Sequence, residues 1–330
     1  MIAAFILALS LLFILGSCYV FVNAVECLGR ACNFHQGIIG SILAAVGTAL
    51  PETMIPIIAI LFSKGASAHD VGIGAIAGAP FMLSTLGFFV TGLSVIIYSV
   101  FGKRKRKMDV DCRIICKDLT FFLIIYGIAV ATTIIHEIIW LKIVIACCLL
   151  VSYIIYFKLI VCTDCDLLED VQDLYFKKFF NLPENKFFIL LQLALALLSI
   201  VVSAHFFIKN VQALSLIMGV STLILSLIIT PIATELPEKL NSIIWVGRSR
   251  ETMAIGNITG AMVFQSCFPV VFGMIFTPWN LQGMTVVSAV LALSSAFLNL
   301  LWLKLFKTMN PFMLMISGAL YLVFIGALFF

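Results

Sequence analysis

Two glutamates within apolar sequence are the residues that point most directly to chemistry. The segment Thr48-Ala49-Leu50-Pro51-Glu52 recurs as Thr234-Glu235-Leu236-Pro237-Glu238, offset by 186 residues. A carboxylate at membrane depth is costly unless it binds a cation, carries a proton or pairs with a base. Carboxyl and hydroxyl oxygens are hard ligands that suit Ca²⁺ or Na⁺. We therefore predict an ion-binding site at Glu52, Glu238, Thr48 and Thr234, with the two glutamates as metal ligands.

The second copy carries additional polar groups. Glu235 and Lys239 are four residues apart, in the order that favours an ion pair on a helix. Two alternatives stay open, because Glu235 can pair with Lys239 or join the site as a third carboxylate. Asn257 and Gln265 offer amide oxygens, which serve equally well as ion ligands or as hydrogen bonds between helices. The glutamates could also be held neutral or salt-bridged for packing, but two symmetric copies favour ion binding.

Prolines flank both glutamates. Pro56 follows Pro51 in the first copy, and Pro231 precedes Pro237 in the second. Proline removes a backbone donor and clashes with an earlier carbonyl, so it frees oxygens that can face an ion. We therefore predict helix breaks at Pro51, Pro231 and Pro237.

A second repeat consists of small residues. The block 73–79 recurs as 255–261 at an offset of 182, with glycines four residues apart in both copies. Small residues at this spacing let helices approach closely. A helix-packing role is therefore predicted for Gly74, Gly78, Gly256 and Gly260.

The elements that carry these motifs are membrane spans. Of 330 residues, 63% are hydrophobic and 11% charged, which excludes an ordinary soluble domain. A helical crossing needs roughly 20 apolar residues. Ten apolar runs meet this need, at about 2–22, 37–63, 70–101, 119–135, 138–160, 187–208, 211–247, 252–276, 283–303 and 310–330.

The ten runs divide into two halves, residues 1–160 and 187–330. The motif repeats occupy about 37–101 and 211–276, and residues 161–186 form a linker whose apolar spacing predicts an amphipathic, interfacial connector. Five spans are an odd number, so the second half must cross the membrane in the opposite sense. The fold class expected is an all-α polytopic membrane protein of two inverted five-helix repeats with broken helices at the midplane, an arrangement typical of secondary transporters.

The basic residues set the orientation. In the ten-span topology 16 Lys and Arg lie on one side and 3 on the other, with Lys239 inside a span. The positive-inside rule then places both termini outside and the basic loop 102–117 in the cytoplasm. Basic residues in short loops suit lipid headgroups, so no nucleic-acid partner is expected. Cys162 and Cys165 form a CxxC that no second pair or nearby His completes, and no metal or redox role is assigned to them.

The segment Gly47–Glu52 and the block Gly256-Asn257-x-x-Gly260-Ala261 resemble the alpha repeats of the sodium/calcium exchanger (cation/calcium antiporter) family. The resemblance extends over nearly the whole chain, to the ten spans and the inverted repeat. It implies that Glu52, Glu238, Thr48 and Thr234 line one calcium and several sodium positions.

Other positions depart from the family pattern. Where the family carries Ser, Asn or Asp, this chain has Ala49, Glu235, Ala75, Ala79, Leu83, Ala261 and Gln265. Fewer side-chain oxygens should weaken or abolish one or more sodium sites.

The function expected is a secondary cation antiporter that exchanges Ca²⁺ for Na⁺ or H⁺ by alternating access. The alternative is a non-transporting or regulatory relative with a degraded sodium site. An enzyme is not expected, because no nucleophile elbow, paired-His metal motif or phosphate loop is present. The expected ligands are the transported Ca²⁺ and Na⁺ or H⁺, with no cofactor, and the partners are inorganic cations and the bilayer of a prokaryotic inner membrane. The oligomeric state is left open.

Overall fold

A computed structural model describes residues 2–31, 44–63, 65–105, 107–135, 137–161 and 173–328. Within these ranges the chain is helical, without a sheet; an isolated antiparallel bridge joins Met108 and Met309. The helices are α1 (Ile2–Ala31), α2 (Ala44–Ile57), α3 (Ala66–Met82), α4 (Phe88–Val100), α5 (Cys112–Ala131), α6 (Ile139–Val161), α7 (Tyr175–Phe180), α8 (Lys186–Met218), α9 (Thr222–Thr234), α10 (Leu236–Gly247), α11 (Glu251–Phe276), α12 (Met284–Phe306) and α13 (Pro311–Ala327). π-Helical turns at Ile58–Phe62 and Leu83–Gly87 extend α2 and join α3 to α4.

The protein is an all-helical membrane protein. Seven described segments are long and apolar enough to cross a bilayer, namely Ile2–Val25, Ser67–Val100, Cys112–Ile135, Ile139–Lys158, Lys186–Met218, Glu251–Phe276 and Met284–Phe306. Three shorter apolar helical segments are Pro51–Phe62, Thr222–Ile232 and Pro311–Ala327. The total of ten spans and their inverted symmetry stay predictions.

One predicted boundary is wrong. The gap expected near residue 210 is absent, because α8 continues through Lys209 and Asn210 to Met218. Asn210 remains helical and donates a side-chain hydrogen bond to the Phe206 carbonyl at 2.8 Å. The helix ends instead at Gly219, whose φ of 65° provides the left-handed cap that glycine adopts without strain. Two polar residues were therefore a weaker stop signal than one glycine.

The loop 101–111 packs on segments from the second half. Arg104 forms a 2.6 Å ion pair with Glu251, and its guanidinium also donates to the Val246 carbonyl at 3.2 Å. The Asp111 amide donates to the Thr252 hydroxyl at 2.9 Å. These contacts bring Arg104 and Asp111 next to the α10–α11 connection, while the side of the membrane on which they lie stays a prediction.

The described part of the linker is tied to the first helix. The Asn23 side chain on α1 accepts from the Tyr175 amide at 2.9 Å and donates to the Asp173 carbonyl at 3.1 Å. Leu174 is buried, whereas Phe179 and Phe180 on α7 are exposed. Cys162 and Cys165 lie outside the described residues.

Candidate functional site

The first motif copy lies on an uninterrupted helix. Pro51 and Pro56 are both inside α2, and Glu52 between them is buried, with 5% of its surface exposed. The break predicted at Pro51 is therefore not seen. Proline within a membrane helix is tolerated where neighbouring helices pack around it and the local turn adjusts. Here the adjustment is the π-helical turn Ile58–Phe62, which directly follows α2.

The second motif copy is broken, but at Glu235 rather than at a proline. Its backbone leaves the helical region at φ −92° and ψ 10°, between the end of α9 and the start of α10. Pro231 lies inside α9, and Pro237 lies in the first turn of α10, where its missing N–H is tolerated. The Glu235 amide still donates to the Pro231 carbonyl at 3.1 Å.

Glu235 and Lys239 form a buried ion pair across this break. The Lys239 ammonium donates to Glu235 Oε2 at 3.1 Å, with side-chain exposures of 9% and 0%. Of the two alternatives left open by the sequence, the structure shows the pairing of Glu235 with Lys239. Glu238 lies between them in sequence and is 1% exposed.

Amide side chains of α11 contact both motif copies. The Gln265 amide donates to Glu52 Oε2. Asn257 donates to the Glu238 backbone carbonyl at 2.9 Å and to the Ser242 hydroxyl at 3.2 Å. The structure therefore brings Gln265 to a motif carboxylate, whereas the Asn257 amide nitrogen contacts the α10 backbone and a hydroxyl.

Several carboxylate oxygens are buried without a donor. Within the described ranges, Glu52 Oε1, Glu235 Oε1 and Glu238 Oε2 have no hydrogen-bond partner, and neither has Gln265 Oε1. A buried acceptor without a partner is costly, so such atoms mark places where a cation or proton is expected. The three carboxylates also lie within electrostatic reach of one another and of Lys239.

The predicted hydroxyl ligands differ in what the structure shows. Thr234 is buried and donates its hydroxyl proton to the Thr230 carbonyl at 3.0 Å, which leaves oxygen lone pairs as acceptors. Thr48 lies on α2, but its side chain is outside the described part. In this form, no three acidic, cysteine or histidine side chains among the described residues are grouped closely enough to hold a metal ion.

The glycine repeat packs asymmetrically. A Cβ at Gly78 would lie 2.2 Å from the Leu227 carbonyl oxygen, and one at Gly74 would lie 2.5 Å from the Leu223 carbonyl oxygen. Both glycines therefore let α3 approach α9 closely, as predicted. Among the described residues, a Cβ at Gly256 would meet only Ile115 at 4.0 Å, and one at Gly260 would meet nothing within 4 Å. The packing role predicted for Gly256 and Gly260 is thus not seen in the described residues.

Residues 2–161 and 188–330 match the model of the family described as sodium/calcium exchanger protein. The chain belongs to the sodium/calcium exchanger family. It is 26% identical over 296 residues to an uncharacterised membrane protein of Methanocaldococcus jannaschii, covering 90% of this chain and 88% of that protein. The members of this family are secondary transporters.

Solved structures share the exchanger fold. The H⁺/Ca²⁺ exchanger CAX superposes with a TM-score of 0.72 at 18% identity, covering 99% of this chain and 82% of that one. Native YfkE gives 0.70 at 16% identity, with coverage of 98% and 92%. The sodium-calcium exchanger NCX_Mj gives 0.58 at 21% identity, with coverage of 98% of both chains.

Three first-copy positions that depart from the exchanger motif are apolar and buried in the structure. Ala75, Ala79 and Leu83 on the first copy are all buried. Leu83 is the counterpart of Gln265 at the offset of 182. Glu52 thus has an amide donor from the repeat block of α11, whereas the equivalent position for Glu238 is a leucine.

One buried acid of this exchanger-family chain was not predicted from the sequence. Asp118 on α5 is 2% exposed and accepts from the Tyr156 hydroxyl and from the Thr259 hydroxyl, each at 2.6 Å. It ties α5 and α6 to the repeat block of α11. Because Asp118 ends the charged segment 103–118, its sequence position suggests an exposed carboxylate in a loop. The signal that could have found it is the long uncharged, mostly apolar run that begins at the next residue.

Proposed function

We propose that this protein is a secondary active antiporter in which Glu52 and Glu238 bind Ca²⁺ and exchange it for Na⁺ or H⁺ by alternating access. The observation that carries the proposal is the pair of buried motif glutamates, each with a carboxylate oxygen that has no donor among the described residues. Family membership supports cation/calcium antiport in general. The structural neighbours CAX, an H⁺/Ca²⁺ exchanger, and NCX_Mj, a sodium-calcium exchanger, supply the two candidate coupling ions.

The ligand set favours a site with few sodium positions. Ala49, Ala79, Leu83 and Ala261 offer no side-chain oxygen. The oxygens left for ions are those of the motif glutamates, Thr234, the unpartnered Gln265 Oε1 and, by its place in the motif, Thr48. Carboxylates can release a bound cation by taking protons, so a site with few neutral oxygens is suited to H⁺ as the counter-ion.

The proposed orientation has both termini outside and the loop 102–117 in the cytoplasm of a prokaryotic cell. The Arg104–Glu251 pair and the Met108–Met309 bridge support one common end for the basic connections of the two halves. Lys142 lies near the start of α6, at the opposite end of α5 from the basic loop. Its ammonium donates to the Thr277 carbonyl at 2.9 Å, so this basic residue caps the C-terminus of α11 and does not belong to a cluster of basic residues.

A second candidate is a non-transporting relative that keeps the fold for binding or regulation. It is favoured by the donors already directed at the carboxylates, from Gln265 to Glu52 and from Lys239 to Glu235. Each of these donors already satisfies one carboxylate oxygen, which reduces the need for a mobile cation.

The test is uptake of radioactive Ca²⁺ into proteoliposomes, driven separately by an imposed Na⁺ gradient and by a pH gradient. The expected result is uptake under at least one gradient in the wild type, and uptake at the level of empty liposomes in Glu52→Gln and Glu238→Gln. Glu137→Gln is the matched control, because Glu137 is an exposed acid between α5 and α6. Wild-type protein that moves no Ca²⁺ under either gradient, yet is stabilised by Ca²⁺, would instead support the non-transporting relative.

A further inference from the structure

Lys239 is a buried cation beside the motif glutamates, and binding of a mobile ion by Glu52 and Glu238 does not explain its presence. Its ammonium lies 3.1 Å from Glu235 Oε2 and its amide donates to the Glu235 carbonyl at 3.2 Å, so one helical turn holds both charges together. The charge of Lys239 also acts on Glu52 and Glu238. A cation built into the chain therefore lies in the field of all three carboxylates of the candidate site.

The charges of the site add up to a specific value. Glu52, Glu235 and Glu238 carry three negative charges when ionised, and Lys239 returns one positive charge. The remaining two negative charges equal the charge of one divalent cation, or of two monovalent ones. In alternating access, a buried ion site must pass between its outward-facing and inward-facing states. The free-energy cost of this change is lowest when the net charge of the site is zero, because an uncompensated buried charge is strongly unfavourable.

The internal repeat shows that the two additional charges occur together. At the offset of 186, Glu235 corresponds to Ala49 and Lys239 to Thr53. The first copy therefore lacks both members of the pair, and the second copy has both. A pair that is present or absent as a unit leaves the net charge of the site unchanged.

We propose that Lys239 is a resident cation of the transport site, which neutralises Glu235 so that Glu52 and Glu238 alone exchange ions. The site then takes one Ca²⁺ against two monovalent cations, and the exchange moves no net charge. Glu235 is consequently not a third ligand of the mobile ion. This inference rests on the proposed antiport function and specifies its charge stoichiometry.

The test is a double-mutant cycle with Lys239→Gln, Glu235→Gln and the double variant. Each protein is reconstituted, and Ca²⁺ uptake is measured together with the current that accompanies it on a supported membrane. Ca²⁺ affinity is measured separately in detergent from the rise in melting temperature with Ca²⁺ concentration, so that a variant with slow transport still reports on binding.

The wild type is expected to take up Ca²⁺ without a sustained current. Glu235→Gln leaves an unpaired ammonium beside the site and should weaken Ca²⁺ binding by at least about tenfold. Lys239→Gln leaves a third carboxylate without its partner, so uptake should fall by about tenfold or become electrogenic. The double variant restores neutrality and should recover uptake to within about threefold of the wild type, without current.

Three results would overturn the inference while leaving antiport intact. These are a sustained current in the wild type, single variants with wild-type Ca²⁺ affinity and uptake, and a double variant as impaired as the singles. A wild-type protein that neither binds nor transports Ca²⁺ is a different failure, since it overturns the proposed function and this inference with it.

Discussion

The two motif copies have the same glutamate and proline but differ in backbone and in charge. The first copy is one continuous helix through Pro51 and Pro56, while the second is interrupted at Glu235 between α9 and α10. The first glutamate receives a hydrogen bond from Gln265, and the position equivalent to that amide for the second glutamate is Leu83. An internal repeat therefore preserves the carboxylates without preserving their surroundings.

The position of the second proline explains much of the difference in backbone. In the second copy Pro231 comes before the motif, and its missing N–H frees the Leu227 carbonyl, against which Gly78 packs. In the first copy the additional proline, Pro56, comes after the motif and is followed by a π-helical turn. The departure from a regular α-helix thus lies between the two prolines in the second copy, as a break, and after both prolines in the first, as a π-helical turn.

The largest effect is expected from the hydrogen bonds of Asp118, which hold the repeat block of α11 and have no counterpart at the repeat block of α3. Thr259 on α11 is tied to Asp118, whereas its counterpart on α3 is Ala77. Asp118→Ala leaves two hydroxyls without their acceptor and should destabilise the protein by about 2–4 kcal/mol, seen as a lower melting temperature in detergent. Asp118→Asn keeps an acceptor and should lose less. Equal losses in both variants would show that the hydroxyl bonds do not stabilise this junction.

The next largest effect tests the difference in hydrogen bonding between Glu52 and Glu238. Gln265→Leu removes the donor to Glu52 and makes the second block resemble the first. The change also removes Gln265 Oε1, a buried oxygen without a described partner that can serve as an ion ligand, so Ca²⁺ binding should weaken by roughly 1.5–3 kcal/mol, the size of a polar contact to a charge. The matched change, Leu83→Gln, should leave binding unchanged or strengthen it. A Ca²⁺ titration followed by melting temperature distinguishes the two, and similar losses in both variants would contradict the asymmetry.

The glycines provide a smaller and purely structural test. Gly78→Ala places a methyl group against the Leu227 carbonyl and should cost about 1–3 kcal/mol of stability through overpacking. Gly260→Ala, at the equivalent position, meets no described atom and should be neutral or stabilising by up to about 1 kcal/mol, because alanine favours the helix. Thermal unfolding of the two variants side by side gives the answer. If Gly260→Ala destabilised as much as Gly78→Ala, the two blocks would be packed alike.

These contrasts show what the sequence could and could not predict. The spacing of Glu235 and Lys239 gave their ion pair as one of two alternatives, and the membrane helices followed from long apolar runs, because both depend on nearby residues. The close packing at Gly78 and its absence at Gly260 depend on which helix lies opposite, and a repeat in one chain does not specify that. Asp118 was missed for the same reason, since its partners are 38 and 141 residues away. Proline predicted that a break occurs in the second copy, but not that the first copy would accommodate Pro51.

The smallest effect is expected for an exposed ion pair that has the same spacing as Glu235 and Lys239, with the acid four residues before the base. Asp173 and Lys177 are also four residues apart, with their charged atoms 3.2 Å apart, but their side chains are 56% and 47% exposed. The hydrogen bond to Asp173 raises the pKa of Lys177 above its ordinary value. Any stabilisation is therefore present below the ordinary lysine pKa and is lost as the pH rises through the raised value.

Solvent and salt screen this linker pair, whereas they do not reach Glu235 and Lys239. Lys177→Met should leave the melting temperature in detergent at neutral pH unchanged within error, as should Lys178→Met on the same exposed turn. A loss in Lys177→Met comparable to that in Lys239→Gln would contradict this contrast, since spacing alone would then determine the strength of an ion pair. With burial as the deciding factor, the motif pair is the one in which the loss of a single partner changes the protein.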